Sequence, residues 1–242
     1  MSTSSAPPEI VTGARYVERI TASESDRLAR TGFRDLVLRV APPGGALFDF
    51  GSGPGMDARF YAERGFKVGA YDVDPQMCEF FTEHCRDLIE AGRITLNRGS
   101  YRDFLANEKL AGADLITSNF APLNLVENLQ ELFAKFHTIT RPRGRILASV
   151  LSPYFLGDLK YGWWWRNALR LWRTGHYSVP GAQAPIIRRR IADFARQSEP
   201  YFTLERVYHG LSPSNGLALY RSLRVSTCRF MFLLFERRDD CR

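Results

Sequence analysis

Short apolar stretches alternate with amphipathic stretches along the middle of the chain. The pattern predicts strands at 46–50, 67–72, 93–98, 113–119 and 144–151, and helices at 56–65, 75–91 and 124–140. Regular alternation of strands and helices is typical of a parallel sheet that is covered by helices on both faces. The sequence therefore predicts an α/β fold with a doubly wound sheet.

The flanks of this region are less regular. Residues 1–12 read as a disordered tail, and residues 13–41 as two short helices that are interrupted near Ser23–Ser25. After 151 we expect an insertion at 153–186, a helix at 187–198, and two closing strands within YFTLERVYHG and STCRFMFLLFERR. No linker divides the chain, so we expect residues 13–242 to form one domain.

Three glycines follow the first predicted strand in the run LFDFGSGPG, at Gly51, Gly53 and Gly55. Glycine adopts backbone angles that a side chain forbids, and its lack of Cβ lets a ligand lie on the main chain. The spacing is G-x-G-x-G, which differs from the G-x-G-x-x-G of dinucleotide sites, and Asp49 stands two residues before it. The run predicts a nucleotide-binding turn.

The second predicted strand, KVGAYDV, ends in an acid, Asp72. A carboxylate at this position can accept hydrogen bonds from both hydroxyls of a ribose. Asp74 is followed by Pro75, a pattern typical of a helix N-terminus, and we expect Asp74 to cap the next helix.

Together these segments resemble motif I and its neighbours in class I S-adenosylmethionine-dependent methyltransferases, over about residues 45–152. The resemblance implies a Rossmann-like, mostly parallel seven-stranded sheet with an antiparallel last strand, and S-adenosyl-L-methionine as the cofactor. The segment from Asn119 to Asn124 is loosely similar to small-molecule and lipid methyltransferases of bacteria. The residues implied for the cofactor are Tyr16, Asp49, Gly51, Ser52, Gly53, Asp72, Val73, Ser100, Tyr101, Asn119 and Phe120.

Composition and charge narrow the choice of protein class. The 242 residues are 45% hydrophobic and 24% charged, as in an ordinary globular protein. The polar N-terminus lacks an apolar signal core, and we expect a cytoplasmic protein with four reduced cysteines and no metal site. Residues 1–140 carry 15 basic and 19 acidic residues, whereas residues 141–242 carry 18 and 7. We expect the positive field of the second half to act on the acceptor or on a surface that presents it.

All four tryptophans lie in one part of the insertion, YGWWWRNALRLWR. On a helical wheel we place Arg166, Arg170 and Arg173 on one face, and the opposite face holds Trp165, Ala168, Leu169 and Trp172. The tryptophan face either packs on the sheet, covers an acceptor pocket, or lies at a membrane surface through residues 158–173. The candidate substrate residues are Trp163, Trp165, Trp172 and Tyr177.

Methyl transfer to a hydroxyl benefits from a general base, whereas an ionised acceptor needs none. The candidates for the base are His176, His209 and Tyr154.

The leading hypothesis is methyl transfer to a small hydrophobic or acyl-type metabolite, lipidic or carrier-bound, with oxygen preferred as the atom that is methylated. The alternatives are an RNA methyltransferase that uses the basic half, and a noncatalytic binding protein. Residues 119–122 differ from the Asn/Asp-Pro-Pro-aromatic run of many base methyltransferases, which argues against nucleic acid; the oligomeric state is not determined by the sequence.

Overall fold

A seven-stranded sheet forms the centre of the protein in the computed structural model, which describes residues 23–159, 162–179, 185–209 and 228–239. The strand order is β3-β2-β1-β4-β5-β9-β8, and β9 is antiparallel to both of its neighbours, whereas the other pairs are parallel. This confirms the predicted Rossmann-like topology. The strands are β1 (Ala46–Phe50), β2 (Lys67–Asp72), β3 (Ile94–Arg98), β4 (Ala113–Ser118), β5 (Thr140–Leu151), β8 (Phe202–His209) and β9 (Phe230–Arg237).

Helices cover both faces of the sheet, and a small antiparallel hairpin of β6 (His176–Val179) and β7 (Ile186–Arg189) stands apart from it. Short 3-10 turns occupy Pro122–Leu125 and Leu156–Asp158. The helices are α1 (Glu24–Val40), α2 (Met56–Glu63), α3 (Pro75–His84), α4 (Arg86–Glu90), α5 (Tyr101–Ala106), α6 (Leu129–Ile139), α7 (Gly162–Thr174) and α8 (Ile191–Ser198).

The sheet separates two apolar clusters. Phe33 on α1, Tyr61 on α2 and Phe81 on α3 are fully buried in the first cluster. Phe136 on α6 and Phe194 on α8 are fully buried in the second. Burial on both faces explains why the central strands read as apolar runs in the sequence.

Two predicted helices are interrupted. The helix expected at 75–91 is broken at Cys85, whose fully buried side chain points its Sγ at the carbonyl oxygen of Gly55, 3.6 Å away. The helix expected at 124–140 begins only at Leu129, after the 3-10 turn, and β5 begins at Thr140 rather than at 144. In both places tertiary packing overrides a continuous helical pattern.

The helix expected at 187–198 is also wrong in its first part. Residues 186–189 form β7, and α8 starts only at Ile191. The backbone of β7 pairs with β6, and the side chains of Arg188 and Arg189 reach buried carbonyl groups, which holds the segment extended. Neither the β6–β7 hairpin nor the short helix α5 was predicted.

At the N-terminal side, Ser23 caps α1 by accepting a hydrogen bond from the amide of Asp26, 3.3 Å away. This confirms the predicted helix start. The predicted tail at 1–12, the first short helix and Tyr16 lie outside the described residues. Within the described ranges, no helix has both the length and the apolar content needed to cross a bilayer.

Candidate functional site

The glycine turn after β1 is tied to the neighbouring strand β2. The amides of Gly51 and Ser52 both donate to the carbonyl oxygen of Tyr71, at 2.9 and 3.0 Å. Gly51 has a φ of 70°, and a Cβ there would lie 2.6 Å from the side chain of Pro122. Only glycine fits this position, so the turn brings the ends of β1, β2 and the segment after β4 together.

Asp72, at the end of β2, faces the glycine turn. Its Oδ2 accepts from the amide of Gly53 at 2.7 Å, and its Oδ1 accepts from the amide of Asp74 at 2.9 Å. Burial raises the pKa of Asp72 above its ordinary value, against the effect of these amides. Asp74 caps α3 through the amide of Gln76, as predicted, while Val73 between them is 54% exposed.

Asp49 lies beneath the turn and is almost fully buried. The hydroxyl of Thr117 on β4 donates to its Oδ1 at 2.9 Å. Burial, and the negative charge of Asp57, raise the pKa of Asp49 to about 7. A buried carboxylate with a strongly raised pKa beside a ligand turn is typical of functional sites.

A charged network that was not predicted from the sequence is centred on Asp57, in the first turn of α2. The carboxylate accepts from Arg30 Nη1 at 2.7 Å and from Arg34 Nε at 2.6 Å, and also from Asn119 Nδ2 at 3.0 Å. Although burial opposes it, the two guanidinium groups lower the pKa of Asp57 below its ordinary value. Arg30 and Arg34 stand one turn apart on α1, and this spacing was the available signal.

The segment at the tip of β4 has a strained backbone. Phe120 and Ala121 have φ values of 61° and 68°, which residues other than glycine rarely adopt. The amide of Phe120 donates to Asn119 Oδ1 at 2.9 Å, and the guanidinium of Arg30 lies 4.5 Å from the centre of the Phe120 ring. Such strain clusters at ligand sites, and it supports the prediction that this tip belongs to the site.

Ser100 and Tyr101 occupy the end of β3 and the start of α5. Ser100 forms a capping box with Asp103, because each side chain accepts from the other residue's amide. The hydroxyl of Tyr101 is buried without a hydrogen-bond partner among the described residues, and so is that of Ser52. A buried hydroxyl in this condition is unfavourable unless a ligand or water satisfies it.

The β6–β7 hairpin, which begins inside the insertion, is fastened over the carboxyl ends of β4 and β5. Asn124 accepts from the amide of Leu151 at 3.0 Å and donates to the carbonyl oxygen of Ile187 at 2.7 Å. Arg189 donates to the carbonyl oxygens of Val126 and Glu127, at 2.6 and 2.9 Å. In α/β sheets ligands bind beyond this edge, so the insertion covers the region where an acceptor is expected.

Helix α7 of the insertion has three faces rather than two. Trp164 and Leu171 are buried, whereas Trp165 and Trp172 are 62% and 65% exposed. Because successive residues turn by 100°, the arginines lie about a third of a turn from the exposed tryptophans. The predicted opposition of the two faces is therefore wrong: they are adjacent, and the third face is the one that packs.

The predicted acceptor residues are scattered. Tyr177 on β6 is buried, His176 at the start of β6 is exposed, and Tyr154 is half-buried in the turn after β5. His209 ends β8, where it pairs with Met231 and so stands at the same sheet edge as the end of β5. The side chains of His209 and Trp163 lie outside the described residues.

Residues 47–144 match the family described as a methyltransferase domain. This segment runs from β1 into β5 and contains the glycine turn and Asp72. Over this segment the chain is similar to methyltransferase domains. A malonyl-[acyl-carrier protein] O-methyltransferase from Pectobacterium atrosepticum is 30% identical to it over 140 residues, which are 56% of this chain and 51% of that protein. The chain thus spans about half the length of that curated relative.

Solved structures of methyltransferases share the fold of this chain. A TehB-like S-adenosylmethionine-dependent methyltransferase from Corynebacterium glutamicum has a TM-score of 0.59 at 16% identity, over 92% of this chain and 96% of that one. A Burkholderia thailandensis 1,6-didemethyltoxoflavin-N1-methyltransferase with bound S-adenosylhomocysteine has a TM-score of 0.61 at 15% identity, over 93% and 84%. The predicted class of cofactor, S-adenosyl-L-methionine, is confirmed.

Proposed function

We propose that the protein transfers a methyl group from S-adenosylmethionine to an oxygen of a small hydrophobic or acyl-type acceptor. The observation that carries the proposal is the arrangement of the glycine turn, Asp49 and Asp72 at the carboxyl ends of β1 and β2. When bound, the cofactor would supply a methyl group activated by a positively charged sulfur for transfer to an acceptor oxygen, with the thioether as the leaving group. The protein then has to hold the acceptor in line and exclude water.

The residues at the carboxyl ends of β1, β2 and β3 fit this cofactor. Each oxygen of Asp72 accepts one amide hydrogen bond, which leaves lone pairs for the two hydroxyls of a ribose. The hydroxyls of Ser52 and Tyr101 have no hydrogen-bond partner among the described residues, and we assign both to binding the adenosine. We assign the same binding role to Gly51, Gly53, Val73 and Ser100, and the methionine side of the cofactor to Asn119 and Phe120.

A carboxylate is the acceptor group that we favour. The relative from Pectobacterium is, by its name, an O-methyltransferase of an acyl group on a carrier protein. The basic second half of the chain, with 18 basic and 7 acidic residues, would attract an anionic acyl substrate. A carboxylate is already ionised, so it needs no base; His176, His209 or Tyr154 would serve as base only for a hydroxyl acceptor.

The cofactor assignment is tested by titrating S-adenosylmethionine into the protein in a calorimeter. Asp72→Ala should weaken binding at least tenfold with an unchanged circular dichroism spectrum, because the ribose loses its acceptor. Asp74→Ala is the matched control: it removes a helix cap, at a cost of about 1 kcal/mol in stability, and should leave the affinity near that of the wild type. Equal affinities for wild type and Asp72→Ala would refute the ribose role.

The acceptor assignment is tested with methyl-labelled cofactor and a panel of malonate, malonyl-acyl carrier protein, long-chain fatty acids and RNA. We expect label in an acyl acceptor, released by mild alkali as expected of a methyl ester. Label that survives alkali, or that enters RNA, would contradict O-methylation of an acyl group.

A further inference from the structure

Helix α7 presents a row of large apolar side chains to solvent. Trp165, Leu169 and Trp172 are 62%, 51% and 65% exposed, and their spacing of four and three residues aligns them on one face. With a rise of about 1.5 Å per residue, the row is roughly 10 Å long. We call these three residues the apolar stripe.

The apolar stripe is not an ordinary feature of a protein surface. Its two tryptophans are the most exposed large hydrophobic side chains among the described residues. The buried face of the same helix is already supplied by Trp164 and Leu171, so the stripe is not needed for attachment to the domain. An exposed apolar row of this kind marks a site of interaction with a membrane or with another protein.

The charge next to the stripe is positive. Arg170 and Arg173 are exposed on the adjacent face of α7. Between Asp158 and Asp193 the sequence contains no acidic residue and seven Lys or Arg residues. Arg188 and Arg189 of this range are buried, so the described positive charge beside the stripe is that of Arg170 and Arg173.

We propose that the apolar stripe docks on the surface of an anionic phospholipid bilayer. Tryptophan favours the boundary between headgroups and acyl chains, and the adjacent arginines would lie at the level of the phosphates. A single helix face suffices for such docking, since it is buried only about 5–10 Å deep. A stable protein interface needs about 1,000 Å² of buried surface, which one exposed helical row does not provide. Burial of the tryptophans in the bilayer and attraction of the arginines to the phosphates together supply the two contributions that stable peripheral binding requires.

The docking has a structural consequence that does not depend on the identity of the acceptor. Helix α7 packs on the β6–β7 hairpin, and this hairpin is hydrogen-bonded to the segment after β4. A bilayer under α7 would therefore lie beside the covered edge of the sheet. An acyl acceptor that is dissolved in the membrane would have a short path to that edge.

Vesicle binding tests the proposal with the full-length protein. All four tryptophans lie within residues 163–172, so intrinsic tryptophan fluorescence reports on this helix alone. Vesicles of phosphatidylcholine with about a third phosphatidylglycerol should shift the emission to the blue and carry the protein in flotation; phosphatidylcholine vesicles should bind it at least tenfold more weakly. Trp165→Ala with Trp172→Ala, and separately Arg170→Gln with Arg173→Gln, should each lower the partition coefficient roughly tenfold.

Matched controls separate docking from loss of fold. Leu28→Ala with Leu38→Ala, and Arg27→Gln with Arg39→Gln, remove exposed apolar and basic side chains from α1 and should leave vesicle binding unchanged. Cofactor binding measured by calorimetry should be equal in all variants.

The proposal is overturned if anionic vesicles fail to bind, if the stripe variants bind like the controls, or if apo-acyl carrier protein binds the stripe while vesicles do not. Loss of cofactor binding in wild type would refute the proposed function and leave the docking result interpretable.

Discussion

Three buried carboxylates, Asp49, Asp57 and Asp72, surround one glycine turn. They are stabilised in different ways: Asp57 pairs with Arg30 and Arg34, Asp72 accepts backbone amides, and Asp49 has the hydroxyl of Thr117. Although burial opposes it, the two guanidinium groups lower the pKa of Asp57, whereas burial raises the pKa of Asp49 and of Asp72 against the effect of their hydrogen bonds. A site with two carboxylates that ionise at a cost is suited to a ligand that brings positive charge.

Asp49 predicts a pH dependence of stability. Its folded-state pKa, about 7, lies above the ordinary value of 3.8, so the folded state binds the proton more tightly than the unfolded state. Its contribution is fully present below pH 4 and is lost as the pH rises towards 7, by up to about 4 kcal/mol. We expect the free energy of unfolding of the cofactor-free protein to fall less over this range in Asp49→Asn. Parallel pH profiles from urea denaturation of the two proteins would contradict the assignment.

At the scale of elements, α1 is the part most closely coupled to the site. Arg34 holds both Asp57 Oδ1 and the carbonyl oxygen of Met56, each at 2.6 Å, and so clamps α1 to the first turn of α2. Arg30 adds a second link to Asp57 and covers the ring of Phe120. Movement of α1 would therefore displace the turn, the start of α2 and the tip of β4 together.

Removing the carboxylate of Asp57 tests this coupling. Asp57→Ala leaves two partly buried guanidinium groups without their partner and should destabilise the protein by about 3–5 kcal/mol, as measured by urea denaturation. Asp57→Asn keeps a hydrogen-bond acceptor, so its free energy of unfolding should lie between those of the wild type and Asp57→Ala. Asp87→Ala removes an ion pair with Arg59 that lies at the surface, and its unfolding midpoint should stay close to that of the wild type. If Asp57→Ala resembles Asp87→Ala, the clamp has no energetic role.

At the scale of the whole molecule, the insertion and the sheet form one structure because polar side chains bridge them. Arg188 bonds the carbonyl oxygen of Ser152 and pairs with Asp158, while Arg189 reaches carbonyl groups after β4. Burial lowers the pKa of Arg189 to about 10, yet the guanidinium remains charged near neutral pH. The attachment of the β6–β7 hairpin to the sheet thus depends on a few buried hydrogen bonds from charged side chains.

Arg189→Met should loosen the β6–β7 hairpin without unfolding the sheet. The change leaves the carbonyl oxygens of Val126 and Glu127 unsatisfied, at a cost of about 2–4 kcal/mol. Hydrogen exchange measured by mass spectrometry should accelerate in β6 and β7 and remain unchanged in β1 and β4. Arg196→Met, at a largely exposed position, is the control and should exchange like the wild type. Uniform acceleration over the whole sheet would show that Arg189 stabilises the domain globally.

Local patterns were sufficient for the sheet and the glycine turn. The apolar runs of β1 to β5, the caps at Ser23 and Asp74, and the acid at the end of β2 all follow from neighbours within a few residues. The helix breaks at Cys85 and before Leu129 were missed because contacts that are distant in the chain cause them. The β7 strand was missed for the same reason, since Arg188 and Arg189 look like exposed helical charges in the sequence.

By itself, the sequence determined the fold class, the cofactor turn and the composition of the insertion, because these depend on hydrophobic period, glycine spacing and residue type. Only the tertiary structure decided that Arg30 meets Asp57 and Phe120, and that Trp165 and Trp172 face solvent while Trp164 is buried. Helical periodicity shows which residues share a face. It does not show which face finds a partner, because that depends on elements brought together from elsewhere in the chain.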